Sequence, residues 1–214
     1  MQPDHALRAR IADTASALGP DAPTLDDPWT VRDLLAHLVL RSTRPDAVPG
    51  IGVPLGFLRR HTAAVQERIA QEDFERTLAL FRQGPPRWSP ARTALVGRLV
   101  ETPELAVHLE DMVRAQPDWR PTEHDGSVQS ALWGSVRRSG PVLYRSAPVG
   151  VVAVAPGRGR ASLRRPRAGT GTVVLRGTPL ELLLHAFGRT SASLAVVEGA
   201  DADVAALAAH DRSL

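Results

Sequence analysis

Three residues have the types and spacing to hold a metal. Glu104-Leu-Ala-Val-His108 sets a carboxylate and an imidazole four residues apart. On a helix of about 3.6 residues per turn they project from one face, one turn apart. A carboxylate oxygen and a neutral imidazole nitrogen at that separation suit a first-row divalent metal, most often zinc. His37 lies in Asp33-Leu-Leu-Ala-His37-Leu-Val-Leu, among residues that should face a core. Helices of one bundle readily face each other, and bundle metal sites are built from histidine and carboxylate ligands on facing helices. A His/Glu/His set leaves one coordination position open, as catalytic rather than structural sites do. Each piece also has a plainer reading. An i,i+4 Glu–His pair arises by chance on many helices, and a histidine on an apolar face is usually a satisfied core residue.

Two carboxylates stand one turn from these histidines and are candidates to hold their rings in place. Asp33 precedes His37 and Asp111 follows His108, so either could accept the ring N–H that a metal leaves unused. Their alternatives are structural: Asp33 completes a capping box with Thr30, and Asp111 serves as an exposed partner of Arg114. Arg41, one turn past His37, is a candidate for binding an anionic substrate group, with surface arginine as the alternative. The Pro/Gly-rich stretch 44–54 directly follows the His37 helix and would border the same pocket. The remaining histidines fit plainer roles. His5 is terminal, His124 lies in a polar turn and His210 in the tail. His61 reads as a solvated helix residue, and His185, in Leu182-Leu-Leu-His-Ala-Phe, as a half-buried, hydrogen-bonded one.

Composition removes several classes of chemistry. The chain of 214 residues has no cysteine, so disulfides, thiolate zinc sites and cysteine nucleophiles are excluded. All 26 basic residues are arginine, which excludes Walker-type phosphate loops and Schiff-base catalysis. With no lysine, little titrates between histidine and arginine. The isoelectric point of 10.7 therefore overstates a formal charge of only +3. Gly157-Arg-Gly-Arg-Ala-Ser-Leu-Arg-Arg-Pro-Arg167 holds five arginines, but no aromatic residues interleave to stack bases and no helix-turn-helix or zinc-finger spacing accompanies it. A solvated hairpin is the expectation, and nucleic acid is not an expected partner. No apolar run approaches the roughly 20 residues that span a bilayer, and the first residues lack a basic-then-apolar leader. A cytoplasmic protein with no membrane partner is expected.

The elements that must position these residues come in two textures. Helical periodicity predicts helices at about 3–18, 30–42, 57–82, 90–115 and 123–138. Pro103 falls inside the fourth, where it either kinks a long helix or opens a new one at its first turn. After Ala147 the period changes to short β-branched runs at 149–155, 161–164 and 172–176. A helix at 180–187 closed by Gly188, a strand at 194–197 and a last helix at 201–210 follow. The expected class is α+β: a four-helix bundle over 1–145, then a small mixed α/β domain over 146–214.

These segments also carry a resemblance. Trp29-Thr-Val-Arg-Asp-Leu-Leu-Ala-His37-Leu looks like the helix signature of the mycothiol-dependent maleylpyruvate isomerase N-terminal domain, one of the DinB-like metal-binding bundles. Glu104-x-x-x-His108, with Glu110-Asp111 and Arg114-Ala-Gln-Pro117, is similar to the second metal segment of that group. Gly177-Thr-Pro-Leu-Glu-Leu-Leu-Leu-His-Ala-Phe-Gly-Arg189 resembles its sterol-carrier-like C-terminal portion. Gly84-Pro-Pro-Arg-Trp-Ser-Pro90 is similar to a segment of an uncharacterised metal-binding branch of the superfamily.

The resemblance implies that His37, Glu104 and His108 bind a divalent metal, most often Zn²⁺. It implies a transferase or isomerase that uses mycothiol or another small thiol as cosubstrate on a small-molecule substrate. A thiol bound to such a metal ionises, which fits a chain that supplies no cysteine. No residue is assigned a catalytic role by this reading. The alternative is a non-enzymatic binding or regulatory module that the metal stabilises. That alternative calls for a closed four-ligand site, with His61 as the residue to watch for the fourth ligand.

Overall fold

A computed structural model describes residues 3–44, 56–86 and 101–210. The Pro/Gly-rich stretch at 45–55 and the first part of the helix expected at 90–115 lie outside them. By contact the chain forms two compact units, Met1–Thr122 and Glu123–Leu214, whereas the sequence reading set the boundary after residue 145.

The first unit is helical. Helix α1 (Pro3–Leu18) buries Leu7, Ile11 and Ala15 on one face. It ends at Gly19, whose φ of 83° continues the chain in the left-handed conformation that glycine adopts at little cost. Helix α2 (Val31–Thr43) buries every residue from Leu34 to Leu40, so it is apolar nearly all round and runs through the interior. Asp33 accepts hydrogen bonds from the Thr30 backbone N–H at 2.9 Å and from its hydroxyl at 2.8 Å. The expected helix at 57–82 is two helices, α3 (Gly56–Ala70) and α4 (Phe74–Gln83). The break comes at Asp73, whose side chain caps α4 by accepting from Arg76 N at 2.9 Å. Helix α5 (Thr102–Val113) carries Pro103 in its first turn, where a missing N–H removes no helical bond. Helix α1 packs on α4 and α5, and α2 packs on α3 and α4.

A charged pair is sealed inside this unit. The Arg114 guanidinium pairs with Glu110, both side chains wholly buried, and Glu110 also accepts from Thr122 N at 3.2 Å. Arg114 lies 4.5 Å from the Trp119 ring centroid.

The second unit opens with helix α6 (Gly126–Leu143), capped by Asp125, which accepts from Ser127 N and Val128 N. It continues past the expected end at 138. Strands β1 (Gly150–Ala155), β2 (Gly159–Arg164), β3 (Thr172–Arg176) and β4 (Val196–Glu198) form one mixed sheet in the order β2-β1-β3-β4. β1 pairs antiparallel with β2 and parallel with β3, and β4 closes antiparallel on β3. Helix α7 (Pro179–Ala186) is buried along its whole length, and helix α8 (Asp201–Ala208) follows β4. A Cβ on Gly140 would sit 2.7 Å from Leu163 Cδ2, so glycine is what lets α6 approach β2. The α+β class read from the sequence is the one observed.

The arginine-rich run lies on edge strand β2 and the turns that flank it. Charges on an exposed edge block pairing with a further strand, and Arg158 donates to Ser130 Oγ at 2.7 Å.

Removing one member of the buried pair leaves the other charge without its counterion. Glu110→Ala is expected to destabilise the first unit by about 3–5 kcal/mol, measured by urea unfolding. A loss below about 1 kcal/mol, the range of a surface pair, would contradict this.

Candidate metal centre

His37, buried in the middle of α2, and Glu104 and His108 on α5 meet inside the first unit. One donor atom from each lies within 4.8 Å of the other two. Pro103 starts α5 just before Glu104, so both α5 residues sit in regular helix and keep the one-turn spacing. His37 Nε2 is 3.8 Å from Glu104 Oε1, near the ~3.4 Å that separates two tetrahedral ligands at ~2.1 Å from zinc. The two imidazole centroids are 5.4 Å apart in an edge-on arrangement.

What fixes these rings is as informative as their proximity. His108 Nδ1 is 2.9 Å from Asp111 Oδ2, and Asp111 is fully buried. His37 Nδ1 is 3.4 Å from Gln66 Oε1 on α3. An Nδ1–H donating to an oxygen in each case leaves the Nε2 lone pair for a metal, the usual outer-sphere arrangement of ligating histidines. Trp29 packs its ring 5.0 Å from that of His37.

Burial above all, and then the electrostatic influence of His108 and Arg41, pushes the His37 imidazole from 6.5 down to about 3, against the opposing pull of Gln66 and Asp111. His37 is therefore neutral at ordinary pH, the form that ligates metal.

The other expected site residues divide. Asp111 Oδ2 lies beside His108 Nδ1, and Arg114 pairs with Glu110. Asp33 is turned to Thr30 at the helix start, completing the capping box that was its alternative role, and the residue beside His37 Nδ1 is Gln66. Arg41 reaches the site but pairs with Glu104. His61 is exposed and belongs to none of the metal-competent groups among the described residues. His185 is buried, with Nδ1 2.7 Å from the Tyr144 hydroxyl, as expected of a satisfied interior histidine.

Three participants carried no assigned role in the sequence: Gln66, Trp29 and Asp26. Asp26 forms a second close group with His108 and Asp111. Its loop is tied down by Leu25 N donating to Asp111 O at 2.9 Å and Thr24 Oγ1 donating to Trp29 O at 2.8 Å. Only tertiary packing brings Gln66 and Asp26 to the site. For Trp29, its place eight residues before His37 gave a signal.

Comparison with known proteins adds the fold. Among solved structures, a histidine-to-alanine mutant of the mycothiol-dependent maleylpyruvate isomerase superposes with a TM-score of 0.59 at 13% identity, over 92% of this chain and 90% of that one. The two share a fold. The expected DinB-like bundle followed by a small α/β part therefore holds for the architecture. No protein-family model and no curated protein matches the chain.

Two outcomes follow from this geometry. Asp111→Asn should weaken zinc binding about 10–100-fold, whereas Asp33→Ala should cost about 1 kcal/mol of stability and leave zinc affinity unchanged, both read by calorimetry. Equal effects of the two on affinity would contradict the assignment.

The depressed His37 pKa also has a sign. In unfolded chain His37 takes up a proton near pH 6.5, and in folded chain only near 3, so acidification favours unfolding within that window. In chelator-treated protein, stability should fall more steeply from pH 6.5 to 5 for wild type than for His37→Gln. Parallel curves would contradict it.

Proposed function

We propose that His37, Glu104 and His108 bind a divalent metal, zinc by preference, and that the protein is a metal-dependent transferase or isomerase using a small thiol of the mycothiol type. The observation that carries this reading is the convergence of three donors with both histidines held through Nδ1. Two neutral imidazoles and one carboxylate are a borderline-soft set that suits zinc. They leave room for a fourth ligand.

When bound, zinc supplies a Lewis acid that ionises a coordinated thiol or water. The residues around it perform the rest. Asp111 and Gln66 hold the two rings in one tautomer and orientation, and Trp29 packs beside the ring of His37. The chain has no cysteine, so the sulfur nucleophile comes from the cosubstrate. The fold shared with a mycothiol-dependent isomerase supports a thiol in that role. Among the described residues no helix is long and apolar enough to cross a membrane, and we place the reaction in the cytoplasm, on a small-molecule substrate.

Cobalt-loaded protein tests this directly, since thiolate ligation gives an intense charge-transfer band. Wild-type protein should bind one equivalent of cobalt and develop the band with a small thiol. His37→Ala and His108→Ala should lose both while keeping their helical circular dichroism. Thiol binding of equal strength in those variants would sink the proposal.

A further inference from the structure

Arg41 stands where an incoming cation would have to stand. It follows His37 by one turn on α2, and its guanidinium pairs with Glu104 through Oε1. That same oxygen is the one 3.8 Å from His37 Nε2. The Glu104 atom best placed to complete a metal site is therefore the atom that Arg41 covers.

Arginine cannot yield this position by losing a proton, because a guanidinium stays charged in proteins. It can yield only by moving. Its side chain is one-quarter exposed, against 18% for Glu104, so the guanidinium has a route to solvent along a flexible stem. The charge balance then changes. Arg41 and Glu104 are neutral as a pair. A divalent cation taking Glu104 leaves those three groups at a net charge of +2, in a part-buried setting where unbalanced charge is costly.

We propose that Arg41 is a displaceable counter-cation: metal entry draws Glu104 away from it, and the released guanidinium becomes the receptor for a carboxylate on a small ligand at the metal. This inference rests on the metal reading above and adds two properties to it. Metal affinity is set partly by competition with Arg41, and metal binding and anion binding reinforce each other, as linkage requires. Guanidinium and carboxylate match as a two-pronged pair, which makes a carboxylate the fitting anion.

The test is zinc affinity by competition with a chromophoric chelator, with and without succinate as the anion. Arg41→Gln should bind zinc about tenfold more tightly than wild type, a shift within the range that neighbours of metal ligands exert. Succinate should tighten zinc binding by wild type and do so much less for Arg41→Gln. Arg41→Met serves as a second variant should the first fold poorly, and the succinate arm on wild-type protein requires no variant.

Unchanged or weaker zinc binding by the variants would overturn the competition. An equal succinate effect in wild type and variant, or none in wild type, would overturn the anion receptor. Failure of wild-type protein to bind zinc more tightly than His37→Ala would instead remove the metal reading itself, and this inference with it.

Discussion

A neutral imidazole in the middle of an otherwise apolar helix is costly to bury unless its polar atoms find partners. His37 meets that requirement at Nδ1, where Gln66 Oε1 lies 3.4 Å away; its Nε2, 3.8 Å from the Glu104 carboxylate, faces another acceptor and calls for a cation between them. Satisfying one buried ring thus draws in α3 and α5 and fixes how their side chains aim. The polar contacts next to it follow from it. Asp111 holds His108, Leu25 N ties the Trp29 loop to Asp111, and Trp29 closes over His37. Remove the requirement at His37, and nothing in the apolar packing of α2 calls for these polar side chains to converge.

The Glu104–His108 pair was legible in the sequence because its information is local, whereas His37, on another helix, joined it through the resemblance. Glu104 and His108 announce themselves by an i,i+4 spacing that any helix turns into proximity, and Asn-free, Gly-poor stretches around them leave helix as the natural conformation. Pro103 fits the same logic, since a proline next to a candidate ligand makes sense at the start of a helix. Thr30 and Asp33 likewise mark a helix start by their types alone. Asp33 then illustrates a limit: one carboxylate cannot serve both the cap and the histidine one turn on, and the cap, being local, wins.

What escaped the sequence is what depends on packing between elements. Gln66 is one polar residue among many on α3, and only the docking of α3 on α2 brings it to His37. Arg41 was legible as a residue facing the site, but its pairing with Glu104 needs the separation between two helices. The placement of α6 has the same origin. Its periodicity predicts an amphipathic helix correctly, yet periodicity does not say which surface the apolar stripe meets, and here it meets β2 and α7. In the second unit the strands and α7 were readable from β-branched runs and from Thr178-Pro179, because those signals too are local.

The proposed function requires that two imidazoles and one carboxylate grip a single cation and leave it a place for an outside ligand. X-ray absorption at the zinc edge of the loaded protein addresses it atom by atom. The expected spectrum shows a low-coordinate shell of nitrogen and oxygen with the scattering pattern of two imidazoles, and gains one sulfur at about 2.3 Å when a small thiol is added. A shell without imidazole, or one closed by four protein ligands that admits no sulfur, would contradict it.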